Sequence, residues 1–314
     1  METLTAQLLA GNKRALARAL TIVEDGGKDA CSVVRQLFPY SGKAHLIGIT
    51  GSPGVGKSTL VDALVTEIRK ADLKVAVIAT DPTSPFTGGA ILGDRIRMQA
   101  HTLDQNVFIR SMANRGHAGG TSLAIYDAVR MLEAFGYEII IIETVGVGQT
   151  ELSIAKTADT TILVLMPGSG DEIQAIKSGI MEIGDLFVVN KGDLPGAHKT
   201  ASEISYSLEL AQHFPGWTPP VLVSIAETGA GLDEIWQAVG KHRQYLLESG
   251  MLEERRKAKV AAELEELVSE IVRTNLKASL EHSHIQELLH QVLAREVDPH
   301  SAAENLIKEL FGSN

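Results

Sequence analysis

The segment from Gly51 to Ser58 has the residue types and spacing of a phosphate-binding loop. It reads Gly-Ser-Pro-Gly-Val-Gly-Lys-Ser and matches GxxxxGK[ST] at every fixed position. Its glycines let successive backbone N–H groups point at one phosphate, and the following helix adds the partial positive charge of its N-terminus. We expect Lys57, a catalytic candidate, to bridge the β- and γ-phosphates and the Ser58 hydroxyl to bind Mg²⁺. The expected nucleotide contacts are Gly51, Pro53, Gly54, Val55, Gly56, Lys57, Ser58 and Thr59.

A second motif, Asn190-Lys191-Gly192-Asp193, indicates which base the site takes. It follows an apolar strand pattern, which places it at the carboxyl edge of a parallel sheet, where ligands bind. The Asp193 carboxylate can accept hydrogen bonds from guanine N1–H and the 2-amino group, and adenine offers no such donor pair. We expect Asn190 to tie this motif to the phosphate loop and the stem of Lys191 to lie over the base. The motif therefore favours GTP over ATP.

The backbone N–H of Ala226 is the candidate for a contact with guanine O6. GTPases usually make this contact from a Ser-Ala pair, which is separated here as Ser224-Ile225-Ala226. The nucleotide contact of Ala226 is thus expected from position alone.

A glutamate at the end of the most apolar strand pattern is the main metal-binding candidate. Four consecutive isoleucines, Ile139–Ile142, precede Glu143-Thr144-Val145-Gly146. This tetrapeptide occupies the place of a DxxG element, with Glu instead of Asp. We expect Glu143 to hold Mg²⁺ through water, which also makes it a catalytic candidate, and the Gly146 N–H to contact the γ-phosphate.

Two more carboxylates are expected near this edge. Asp81 directly follows a strand pattern that ends at Thr80, and Asp94 lies in a glycine-containing loop that leads into a helix. Asp94 can approach the metal or the attacking water when that loop closes, so we also consider it catalytic. The predicted metal ligands are Ser58, Asp81, Asp94 and Glu143.

The position after Gly146 bears on the hydrolysis rate. Small GTPases place a water-orienting Gln there, whereas this chain has Val147, which cannot orient water. Gln149 is only a loose substitute. We therefore predict slow intrinsic hydrolysis that a partner or a rearrangement accelerates.

The elements that must position these residues follow an α/β pattern. Short apolar runs alternate with helical patterns and glycine-rich turns, which predicts a P-loop NTPase fold with a mostly parallel sheet and helices on both faces. The predicted strands are His45–Thr50, Lys74–Thr80, Val107–Ser111, Glu138–Thr144, Thr160–Met166, Asp185–Asn190 and Pro220–Ser224.

Helical patterns flank this region on both sides. We predict an N-terminal helical extension (1–42), a GTPase domain (43–245) and a C-terminal helical arm (246–314). The apolar stripe of the arm includes Val260, Leu264 and Ile271. It must be buried either on its own domain or on a second copy of the chain, and the second reading predicts a dimer.

Composition excludes several classes of protein. The 314 residues are 44% hydrophobic and 22% charged, as in ordinary globular proteins. The net charge of −10 argues against nucleic acid and anionic membranes as partners. The single cysteine, Cys31, can form neither an internal disulfide nor a CxxC metal site. Without a secretory signal or a membrane-length apolar run, a cytoplasmic location is expected.

Longer segments of the chain resemble a known family, the MeaB/ArgK-type GTPases. The segments are DPTSPFTGGAILGDRIRM, ETVGVGQTE and MPGSGDEIQAIKSGIMEIGDLFVVNKGD. These proteins are G-protein chaperones of adenosylcobalamin-dependent acyl-CoA mutases such as methylmalonyl-CoA mutase. The resemblance implies a GTPase that gates cofactor loading and protects or reactivates such a mutase. It further implies homodimers formed through the helical extensions.

The resemblance also implies an additional switch at about residues 168–177. The switch lysine matches Lys177, and its proposed catalytic partner matches Asp94. An ammonium group brought to the γ-phosphate can stabilise developing charge as an arginine finger does. Three alternatives stay open: a metal-delivery GTPase of the nickel-chaperone type, a transport-linked ATPase or kinase, and nucleotide-gated binding in which hydrolysis only resets the clamp. The lone Cys31 counts against the first and the guanine-selective motif against the second.

Overall fold

The computed structural model describes most of the chain. The described residues are 2–81, 101, 103–113, 120–144, 154, 156–168, 180–211, 216–279 and 283–311.

One seven-stranded sheet forms the centre of the fold, and every strand pair in it is parallel. Its spatial order is β3-β2-β4-β1-β5-β6-β7. All seven predicted strands are present, which confirms the α/β fold class. Strand β1 lies between β4 and β5, where the chain order reverses, and a ligand crevice is expected at the carboxyl end of such a strand. The strands are β1 His45–Thr50, β2 Val75–Asp81, β3 Val107–Ala113, β4 Ile139–Thr144, β5 Thr160–Leu165, β6 Leu186–Val189 and β7 Val221–Val223.

Helices within the first 259 residues cover this sheet, and further helices follow along the chain. The 3₁₀ turns Phe38–Tyr40 and Ile180–Ile183 also lie within the described residues. Within the described residues, the helices are α1 Glu2–Leu9, α2 Lys13–Asp25, α3 Gly27–Leu37, α4 Lys57–Lys70, α5 Gly120–Phe135, α6 Ala197–Ala211, α7 Leu232–Glu248, α8 Met251–Ser279, α9 Ser283–Leu293 and α10 Pro299–Phe311.

Both faces of the sheet are buried. Along β4, Ile139 and Ile141 pack in a core with α4 and α7, whereas Ile140 and Ile142 pack with α1, α2, α3 and α5. On that second side, helix α6 packs on β5 and β6. Successive side chains of a strand point to opposite faces, so burial of both faces requires the continuous apolar run seen in the sequence.

The chain divides into two compact units, residues 1–259 and 260–314. The first contains the sheet and helices α1 to α7, including the N-terminal helices that complete one core layer. In the second, α9 and α10 contact each other, and the Asp298 carboxylate accepts hydrogen bonds from the N–H groups of His300 and Ser301 at the start of α10. The domain boundaries predicted from the sequence stay a prediction. No helix among the described residues is long and apolar enough to span a membrane.

A cluster of buried charges lies at the amino ends of the central strands. Asp159 and Asp185 directly precede β5 and β6, and both are shielded from solvent. The first turns of α8 cover them with cations: Lys259 Nζ lies 2.5 Å from Asp159 Oδ1, and Arg255 donates to both carboxylate oxygens of Asp185 at 2.9 and 3.1 Å. Burial alone would raise the pKa of each aspartate, but Lys259 and Arg256 at Asp159, and His242 and Arg255 at Asp185, hold both pKa values below the usual range.

Two buried histidines continue this cluster across the sheet. The Thr160 hydroxyl lies between them, 2.9 Å from His45 Nε2 and 2.8 Å from His242 Nδ1. On the far sides, His45 Nδ1 lies 3.7 Å from Asp159 and His242 Nε2 lies 3.3 Å from Asp185. A polar chain therefore runs from one aspartate to the other beneath the strands.

Candidate functional site

The turn after β1 has a shape that only glycine permits at two of its positions. Gly51 has a φ of +144°, and a Cβ there would lie 2.1 Å from the carbonyl oxygen of Val164. Gly56 has a φ of +93°, and its Cβ would lie 2.5 Å from Asn190 Nδ2. Such approaches are too close for any side chain. The loop is thus wedged between β5 and the base motif.

Helix α4 begins directly from this turn. Its buried stripe packs into the core beneath the sheet, which fixes the direction of the helix axis. Lys57 and Ser58, in the first turn, are largely buried. The ammonium of Lys57 crosses the loop and donates to the carbonyls of Gly51 at 2.6 Å and Ser52 at 3.0 Å. The helix N-terminus and Lys57 therefore concentrate positive charge at the loop, as phosphate binding requires. The stripe consists of Leu60, Val61, Leu64, Val65 and Ile68.

A hydroxyl and a carboxylate meet beside the start of α4. Ser58 Oγ donates to Glu143 Oε1 at 2.6 Å, although the two residues are 85 positions apart. Glu143 is only 1% exposed. The pairing of β4 with β1, which sets Glu143 opposite Ile49, brings the two groups together. Asp81 ends the neighbouring strand β2, and its side chain lies outside the described atoms.

Asn190 connects the base motif to two other segments. Its Nδ2 donates to the carbonyl of Val55 at 2.9 Å, and its Oδ1 accepts from the Ala226 N–H at 3.1 Å and the Ser224 hydroxyl at 3.3 Å. Asn190 is 2% exposed, so these bonds are made away from water. The Ala226 N–H is engaged by Asn190, and its expected contact with guanine O6 would have to share or replace that bond. That contact stays a prediction.

The rest of the base motif is held by the phosphate loop and by the residue that follows β7. Lys191 has a φ of +57°, and its Nζ donates to the carbonyl of Gly54 at 2.8 Å and lies 3.6 Å from Met166 Sδ. The N–H of Gly192 donates to the carbonyl of Ser224 at 2.8 Å. With Lys191 and Gly192 held in this way, Asp193 is left exposed at the tip of the motif.

The comparisons with known proteins decide the family. A family model described as "Methylmalonyl Co-A mutase-associated GTPase MeaB" matches residues 16–281. The chain belongs to the MeaB family. A relative from Pyrococcus abyssi is 46% identical over 99% of this chain and 97% of its own length. GTPase ArgK of Escherichia coli is 38% identical over 87% of this chain and 85% of its own length.

Two further matches are an animal protein and a crystal structure. A Caenorhabditis elegans protein described as a mitochondrial methylmalonic aciduria type A homolog is 35% identical over 99% of this chain and 83% of its own length. The crystal structure of an LAO/AO transport system kinase is 28% identical, with a TM-score of 0.71, and covers 98% of this chain and 97% of its own.

As a MeaB-family member, the chain is a P-loop GTPase that binds guanine nucleotide. The geometry is consistent with this activity, because the phosphate loop and the base motif are adjacent. The oxygens of Ser58 and Glu143 are hard donors, the kind that Mg²⁺ binds, so the residues present fit that ion.

Three predicted site residues, Asp94, Gly146 and Lys177, lie outside the described residues. Two features of the site escaped the sequence analysis. One is Ser224, whose hydroxyl helps to orient Asn190. The other is a set of threonines at the strand ends around Glu143. A threonine at the end of an apolar strand is ordinary in sequence, so no signal distinguished them.

Proposed function

We propose that this chain is a Mg²⁺-dependent GTPase that gates cofactor loading of an adenosylcobalamin-dependent acyl-CoA mutase and protects or reactivates that enzyme. The match of the MeaB family model over residues 16–281 carries the proposal, since its description names a methylmalonyl-CoA mutase. The description of the C. elegans relative points to the same metabolism. Methylmalonyl-CoA mutase or a close relative is the partner we propose. The cytoplasmic location stays a prediction.

Charge placement explains how the site would promote hydrolysis. We infer that the Lys57 ammonium exchanges its bonds to loop carbonyls for bonds to the β- and γ-phosphates of GTP. Ser58 and Glu143 would hold Mg²⁺, with Asp81 as a further ligand, and the bound ion would neutralise charge on the phosphate oxygens. The backbone N–H groups from Gly54 to Thr59 and the dipole of α4 would stabilise the same charge.

The base motif would select guanine through Asp193. Its carboxylate would accept from N1–H and the 2-amino group, while Lys191 would cover the base. The bond from Asn190 to Val55 of the phosphate loop supports this proposal, because it fixes the separation between the base contact and the phosphate contact.

We propose that partner binding completes the catalytic site. Basal hydrolysis should be slow because Val147 cannot orient water, and the mutase would bring Lys177 and Asp94 to the γ-phosphate and the water. Alanine at Lys177 should then abolish stimulation by the mutase while leaving GTP affinity unchanged. Full stimulation of Lys177→Ala would refute this step.

We also propose a homodimer. Four apolar side chains of α8, each more than half exposed within the chain, recur at helical spacing: Val260, Leu264, Val268 and Ile271. Such a stripe is an association surface for a second copy. Sedimentation of the wild type against Leu264→Glu tests this, with Glu265→Gln as the matched surface control. A wild-type monomer would contradict the dimer.

The central experiment measures GTP hydrolysis by the purified chain with and without a cobalamin-dependent acyl-CoA mutase from the same organism. We expect slow turnover that rises with the mutase. Complex formation should also differ between GTP, GDP and a non-hydrolysable analogue, which separates gating from simple turnover. Equal rates in both samples and nucleotide-independent binding would refute the mutase assignment and reopen the metal-delivery reading.

A further inference from the structure

Buried threonines lie at the ends of three neighbouring strands around Glu143: β4 and β1 end on a threonine, and β2 has one just before its last residue, Asp81. In the spatial order β2-β4-β1, these residues are Thr80, Thr144 and Thr50. All three are shielded from solvent. Valine would fill the same space without a hydroxyl that must be desolvated, so the hydroxyls require an explanation.

The hydroxyls bond across the strands on both sides of β4. Thr80 Oγ1 donates to the backbone carbonyl of Glu143 at 2.9 Å. Thr144 Oγ1 donates to Thr50 Oγ1 at 3.2 Å. Each bond joins the end of β4 to a different neighbour: one ends on the carbonyl of Glu143 itself, and the other is made by the next residue.

The Thr144–Thr50 bond lies where the pairing of β4 with β1 stops. The last paired residues there are Ile49 and Glu143, and Thr50 is already paired with Leu163 of β5. Beyond Glu143, the Thr144–Thr50 bond therefore continues the connection to β1. The strand leaves the sheet next to a carboxylate that must stay within 2.6 Å of Ser58.

We propose that Thr80 and Thr144 are positioning residues that hold the Glu143 carboxylate against Ser58 and thereby set the Mg²⁺ affinity of the nucleotide complex. This inference rests on the proposed magnesium role of Ser58 and Glu143. Neither threonine hydroxyl needs to touch the ion. Their effect passes through the backbone of Glu143, since one bond ends on its carbonyl and the other holds the next residue.

The test measures release of a fluorescent guanine nucleotide as Mg²⁺ is titrated, and again in EDTA. Loss of one buried hydrogen bond should raise the half-saturating Mg²⁺ concentration of Thr80→Val or Thr144→Val about three- to tenfold. Release in EDTA should not change, because no metal is held there. Thr80→Ser, which keeps the hydroxyl, should restore the wild-type value. Thr66→Val, at an exposed threonine of α4, is the control.

A double-mutant cycle separates positioning from general stability. In a Glu143→Gln background, the Val substitutions should have little further effect on Mg²⁺ dependence, whereas independent contributions would add. Wild-type Mg²⁺ dependence in both folded Val variants, equal losses with and without Mg²⁺, or additive effects would each overturn the inference. If Thr144→Val fails to fold, Thr80→Val decides alone. If nucleotide release from the wild type does not depend on Mg²⁺, the proposed metal role and this inference are both overturned.

Discussion

Acidification should destabilise this protein through one buried histidine. His45 is the first residue of β1 and is 2% exposed. Burial lowers its pKa from 6.5 to about 4, although Asp159 acts to raise it, and the nearby charges of Arg243 and His242 lower it further. The imidazole is therefore neutral in the folded protein at pH 6, where most unfolded molecules already carry it protonated.

The size and sign of the effect follow from this shift. A pKa difference of about 2.5 units corresponds to about 3 kcal/mol. Between pH 6.5 and 4 the unfolded chain binds more protons than the folded one, so the free energy of unfolding falls as pH falls. The loss approaches about 1.4 kcal/mol per pH unit in the middle of this window. That is a large part of a net stability of about 5–15 kcal/mol.

Urea unfolding at pH 7, 6 and 5 measures this slope. His45→Gln keeps an amide that can bond to Thr160 but does not titrate. As pH falls, the free energy of unfolding of this variant should therefore decrease less steeply than that of the wild type, by up to about 1.4 kcal/mol per pH unit. His198→Gln, on the exposed side of α6, is the matched control and should keep the wild-type slope. An unchanged slope in His45→Gln would show that another group causes the acid sensitivity and would refute the reasoning.

Three other predictions, the first with a control variant, test separate parts of the structure. Gly51→Ala should lower the melting temperature and abolish nucleotide binding because its Cβ would strike the Val164 carbonyl, whereas Gly54→Ala, with open space around it, should cost only the roughly 1 kcal/mol of a left-handed backbone. Asp193→Asn should weaken GTP binding about a hundredfold in nucleotide competition, as two charged hydrogen bonds are lost. It should improve binding of xanthosine triphosphate, whose C2 carbonyl accepts from the new amide. Lys259→Met should reduce the free energy of unfolding by about 3 kcal/mol, since Asp159 stays buried with one cation fewer.

Local sequence patterns predicted the sheet well for a physical reason. A parallel strand covered on both faces must be apolar at every position, and the run Ile139–Ile142 has no other ready explanation. The phosphate loop was equally predictable, because Gly51 and Gly56 lie so close to neighbouring atoms that no side chain fits at either position. Because both motifs directly follow strands, the sequence predicted that the site lies at the carboxyl edge of the sheet.

The buried charge cluster could not be predicted in this way. Asp159 precedes a strand and resembles an ordinary turn residue, whereas Lys259 resembles a solvated charge on a helix. Their contact spans 100 positions and exists only because α8 begins at the amino ends of the strands. His45 was likewise one of ten scattered histidines until strand pairing set it beside Thr160. Such contacts depend on tertiary placement and leave no local pattern.

Charged groups have different roles at the two ends of the sheet. At the carboxyl ends, Lys57 is held by loop carbonyls that can be exchanged for phosphate oxygens, so the charge is available to a ligand. At the amino ends, Asp159 and Asp185 are compensated by cations of the protein itself. Replacing a complete buried ion pair by apolar residues often costs no stability, so the cluster is better explained by the geometry it specifies. It fixes the first turns of α8 at the same strands, β5 and β6, whose other ends contact the phosphate loop and carry the base motif.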